Sequence, residues 1–112
     1  MTAEEFWDRL FHMSVGAMNE KERNYFACNA LAVEVDTGGL QQYFVNQIPP
    51  PDVVEAALTA LGAHTTLEVF QAARLLGADL KQLTARLKAS GEDLYALLDK
   101  YAERHGLYGP DG

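Results

Sequence analysis

Six times in 112 residues, an Asn, Asp, Ser or Thr is followed three positions later by Glu, Gln or Asp. The pairs are Thr2 with Glu5, Asn19 with Glu22, Asp52 with Glu55, Thr65 with Glu68, Asp79 with Gln82, and Ser90 with Asp93. At that spacing the first side chain accepts a hydrogen bond from a free N–H at a helix start, and the second reaches back to the chain before it. Glycines punctuate the other ends. Gly38, Gly62, Gly77, Gly91 and Gly106 each follow an apolar-periodic run, where a left-handed residue closes the last turn. Between these marks the apolar spacing is helical. Leu94, Leu97, Leu98 and Tyr101 follow i, i+3, i+4, i+7; Leu80, Leu83 and Leu87 form another stripe, and Phe6, Leu10 and Met13 a third. Tyr25, Cys28, Leu31, Ala32 and Val35 line one side of a second helix. "LAVEV" has some strand character but continues the helical period. The expectation is an all-α fold, a compact single domain of six to seven short helices over residues 1–108, with a frayed tail at 109–112.

The charge balance narrows the function. Sixteen Asp and Glu oppose nine Lys and Arg, for a net charge of -7. Direct binding to nucleic acid or to an anionic membrane needs a positive surface, so neither is expected. A basic protein partner is favoured instead. Cys28 is the single cysteine, so no internal disulfide can form. The N-terminal stretch has neither the basic region nor the apolar run of a signal peptide, and a cytoplasmic location is expected.

Little in the chain resembles a catalytic site. His12, His64 and His105 are far apart, and no metal site or cofactor is expected. Ser14 and Ser90 lack a nucleophile-elbow context, and Cys28 lies on an apolar helix side. "DTGG" lacks the lysine and preceding strand of a phosphate-binding loop. The expected protein is not an enzyme.

The stretch "EVDTGGLQQYFVNQ", residues 34–47, interrupts the helical pattern. The second helix is expected to stop near Val35 and the chain to turn at Gly38-Gly39 before a short helix resumes. In that helix Leu40, Tyr43 and Phe44 share a core-facing side. Gln42 and Asn46, four apart, share another, and Glu34 can join them across the corner. Polar residues pinning an interhelix corner explain this set. An enzyme built on Glu34, Gln42 and Asn46 would need an open pocket there.

This stretch resembles the signature of a bacterial family of small helical domains that includes the neisserial DNA-mimic protein. Glu34, Val35, Gly38, Gly39, Gln42, Tyr43, Phe44 and Asn46 fit that signature. "AALTALGA" at 56–63 and "EDLYALLDKYAERH" at 92–105 resemble two further family blocks in the same order, so the resemblance covers about residues 19–106. Asp36 and Thr37 replace two asparagines usual in the family, and Leu40 replaces an aromatic residue. The resemblance implies a helical module, possible as a homodimer, that covers the DNA-binding surface of a basic transcription factor. The physical requirement is an array of carboxylates that meets the partner's Arg and Lys as phosphates would. Candidates are Asp36, Asp52, Glu55 and Glu68, in a segment from Glu34 to Asp79 that holds six acids and one base, Arg74. First-turn capping also explains several of these acids. The same charge logic would suit an immunity-type protein that neutralises a nuclease toxin.

Overall fold

The structure, a computed structural model, describes residues 1–109. Six α-helices and one turn of 3-10 helix make an all-α domain, with no strand among the described residues. Helix α1 covers Ala3–Phe11, α2 Glu20–Asn46, α3 Pro51–Leu61, α4 His64–Ala73, α5 Leu80–Ala89 and α6 Leu94–His105. The 3-10 turn Val15–Ala17 joins α1 to α2.

The long helix α2 is the axis of the domain. Helices α1, α3, α5 and α6 pack against it, while α4 bridges α3 and α5. The core sits along α2, where Tyr25, Ala27, Cys28, Leu31 and Val35 are buried, as are Leu40 and Tyr43 beyond them. Phe6 meets Tyr25 edge-on at 4.9 Å, which seats α1. Tyr43 meets Phe70 edge-on, and Phe44 stacks on Phe70 at 5.4 Å, which seats α4. Leu98, Tyr101 and Ala102 bury the inner side of α6. Burial of such apolar area is the main drive for a helical domain of this size, because short helices are marginal alone.

Three of the expected starts hold. Thr2 and Asn19 form full capping boxes with Glu5 and Glu22, and the Asp79 side chain accepts from Gln82 N–H. Three others fall elsewhere. Helix α3 begins at Pro51, a residue suited to a first turn because its missing N–H is not needed there. Helix α4 begins at His64, one residue before the expected Thr65 cap, and Ala63 offers no side-chain cap. Helix α6 is capped by Asp93, whose side chain accepts from Ala96 N–H, while Ser90 closes α5.

The largest departure is in α2. Asp36, Thr37 and Gly38 carry the first segment of α2 past Val35; the helix breaks at Gly39, whose backbone is non-helical, and a second segment runs on to Asn46. The expected corner is a kink at Gly39 alone. At the chain end, Tyr108 is buried and anchored, so the domain extends through it. Gly109 follows Tyr108 and returns its N–H to Gly106; the other residues of the expected tail, 110–112, lie outside the described residues.

Candidate acidic interface and the glycine-pair motif

Gly39 has φ 76 and ψ -177, a conformation essentially reserved for glycine. The kink releases the N–H of Leu40 from the helical ladder. Thr84 of α5 accepts it at 2.9 Å, and Thr84 itself donates to Leu80 C=O or Gln41 Oε1. Thr84 is buried with this hydroxyl satisfied, so the kink is stapled to α5. Gly38 is required for a different reason. The Gln42 side chain folds back over it, and a Cβ there would overlap the Gln42 amide.

That amide reaches Glu34. Gln42 donates to Glu34 Oε1 at 3.1 Å and to Thr37 Oγ1 at 2.9 Å, and Asn46 donates to Glu34 Oε2 at 2.8 Å. Both oxygens of Glu34 are thus held by amides from beyond the kink. Glu34 and Gln42 are half-buried and Asn46 is exposed. Leu40 and Tyr43 are buried and Phe44 partly so, on the core side. The whole set, Glu34, Gly38, Gly39, Gln42, Tyr43, Phe44 and Asn46, therefore shapes and braces the kink. Thr84 belongs with it; its signal in the sequence is its i+4 place in the Leu80, Leu83, Leu87 stripe, a polar residue on an apolar face.

The four candidate interface acids occupy three helices. Asp52 and Glu55 on α3 share Arg74, which lies 2.9 Å from Asp52 Oδ1 and also contacts Glu55. Glu68 on α4 pairs with Arg86 at 3.1 Å. Asp36 on α2 makes no salt bridge among the described residues, though Lys88 lines the same pocket, and it accepts from Tyr95 Oη of α6 at 2.9 Å. Asp52, Glu55 and Glu68 thus carry three negative charges beside two arginines, which offset most of that charge.

A second set of carboxylates, not singled out in the sequence, gathers around Tyr95. Asp93 caps α6 two residues before it, and Asp99 lies one turn after it. Glu92 holds the loop before α6, where its oxygens accept from the N–H groups of Thr65 and Thr66 at 3.2 and 2.8 Å. It thereby supplies the missing cap of α4. Burial raises the Glu92 pKa, but hydrogen bonds from Thr66 and Thr65 outweigh it and leave the carboxyl below its ordinary range. Burial, the Asp36 hydrogen bond and the charges of Asp36 and Asp93 push the Tyr95 phenol up to about 12. Asp99 accepts from Tyr108 Oη at 2.8 Å, and Tyr108 lies 2.8 Å from Tyr25 Oη. With Tyr108 committed as donor to Asp99, Tyr25 donates to Tyr108, a relay that ties α2 to α6. Asp36, Asp93 and Asp99 are all exposed.

Other reactive groups are quiet. Burial raises the Cys28 thiol far above its ordinary pKa, which keeps it protonated. No group of three metal-binding side chains occurs among the described residues. No helix there is long and apolar enough to cross a membrane.

The fold and motif together define a six-helix all-α domain with a braced glycine kink and exposed carboxylates. The family model for DMP19-like proteins matches residues 16–109, and the chain belongs to that family, the family of DNA mimic protein 19. It is not known as a family of enzymes. No curated protein and no solved structure matches the chain.

Proposed function

We propose that this protein is a non-enzymatic acidic module that occupies the DNA-binding surface of a basic cytoplasmic protein. Family membership carries the reading. The charge distribution supports it and moves its centre. Asp36, Asp93 and Asp99 lie around Tyr95 without a salt-bridge partner, whereas Arg74 and Arg86 offset Asp52, Glu55 and Glu68. The acidic face is therefore built on mid-α2 and the start of α6, with the α3–α4 acids as a weaker flank. Carboxylates fixed on helices meet guanidinium groups in place of phosphates, without an unfolding cost. A second copy would double the array.

The test is the salt dependence of binding to a basic DNA-binding protein captured on the immobilised chain. Between about 0.15 M and about 1 M salt the screening length falls from about 8 Å to about 3 Å. Binding through this face weakens by at least tenfold over that range, and Asp36→Asn with Asp93→Asn weakens it at low salt. A partner held equally well at both salt levels and by the double variant would refute the proposal.

A further inference from the structure

Helices α1 and α6 both lie on α2 without closing against each other, and an open cleft of 350 Å³ remains between them. Its floor is α2, including Asn29; Glu4 and Trp7 of α1 form one wall, and Tyr95 and Asp99 of α6 the other. Two exposed carboxylates line it and no Lys or Arg does, so its field is negative.

Asn29 is the telling residue. It is only 8% exposed, yet its side-chain amide has no hydrogen-bond partner among the described residues. No fully enclosed polar side-chain atom there goes unpaired, so the Asn29 amide meets solvent, and the cleft is the opening it lines. The hydrogen-bonding capacity of that amide is thus open to water or to a ligand that enters the cleft.

We propose that this cleft anchors one arginine side chain of the basic partner, an assignment that rests on the charge-capture reading above. The guanidinium donates to Glu4, to the free oxygen of Asp99 and to the Asn29 carbonyl oxygen. Trp7, stacked on Phe26, and Tyr95 line the cleft as aromatic surface for the planar cation. Arginine suits the site better than lysine, because its five N–H groups diverge in one plane and it is more weakly hydrated.

The experiment titrates N-acetyl-arginine-amide and N-acetyl-lysine-amide into the isotope-labelled full chain, followed by NMR. The arginine compound shifts the Asn29 side-chain amide and the indole N–H of Trp7, the single tryptophan, and it does so at lower concentration than the lysine compound. Glu4→Gln with Asp99→Asn weakens that response roughly fivefold or more. Asn at 99 still accepts from Tyr108, so a well-dispersed spectrum is expected of the variant. Shifts spread evenly over the acidic surface, equal responses to the two amides, an unchanged double variant or no shift at all would overturn the cleft. The two proposals separate with the partner in hand. Partner binding that stays sensitive to salt and DNA but indifferent to Glu4→Gln with Asp99→Asn refutes the cleft alone. Binding insensitive to salt and DNA refutes the function, and the cleft assignment with it.

Discussion

At Gly39 the backbone adopts a conformation that a Cβ excludes, and the freed Leu40 N–H finds its acceptor 44 residues away on Thr84. Two substitutions test that coupling. Gly39→Ala forces a side chain into a glycine-only region and is expected to cost about 1–3 kcal/mol. Thr84→Val keeps the shape but removes the acceptor, leaves the Leu40 N–H buried and unpaired, and is expected to cost a similar ~1–3 kcal/mol. Urea unfolding of the two variants reads both, and because the residues share one interaction the double variant should lose less than the sum. Strict additivity would show that the kink and Thr84 are independent. Glu34 is a brace of another kind. Its carboxylate is fully engaged by Gln42, Asn46 and the local geometry, so it serves shape and not capture.

At the scale of the elements, α4 is capped from outside its own sequence. Ala63 offers no side chain, and Glu92 from the loop before α6 receives the two N–H groups instead. Glu92→Ala is expected to destabilise the domain by about 1 kcal/mol at neutral pH, the usual worth of an N-cap. The pH dependence has a definite sign. The folded-state pKa of Glu92 is lowered, so its contribution is complete above the ordinary carboxylate pKa and disappears as pH falls through the lower folded value. Thermal melts of the wild type and the variant should therefore converge in acid, and a gap that persists there would contradict the capping role. This element also shows what the sequence can and cannot disclose. Local signals were legible: the Thr2, Asn19 and Asp79 caps, the Leu40, Tyr43 and Phe44 core face, and the Glu34, Gln42, Asn46 set all depend on residues close in the chain. The α4 start was misplaced because Thr65 and Glu68 match a capping pattern whose role Glu92 fills from 26 residues onward. The glycine pair is likewise legible as the break in α2, but the break falls at Gly39 and not near Val35, because Asp36, Thr37 and Gly38 keep helical geometry and Thr84 of α5 accepts the N–H freed at Leu40.

At the scale of the whole molecule, a net charge of -7 describes quantity and not arrangement. Counting acids along the chain favoured the segment from Glu34 to Asp79, but Arg86 folds back from α5 onto Glu68, and Arg74 sits between Asp52 and Glu55. Asp36, Asp93 and Asp99, three of the acids with no salt bridge among the described residues, come from helices far apart in sequence and are brought together by the packing of α6 on α2. Neutralising Asp36 and Asp93 should therefore slow association with a basic partner more than neutralising Asp52 and Glu68, a difference that stopped-flow measurement at low salt resolves. The same rate loss in both variants would mean that the field is diffuse and the Tyr95 face has no special part.

The central claim is that this acidic module and DNA compete for one surface, and competition is the measurement that tests it most directly. Duplex DNA is titrated into the preformed complex of the chain with its purified basic partner, and the mass of each species is followed by light scattering on a sizing column. The account predicts exclusive complexes: DNA displaces the acidic protein, and partner is found with one or the other. A stable species containing all three would show that the acidic face binds somewhere other than the DNA site, and would contradict it.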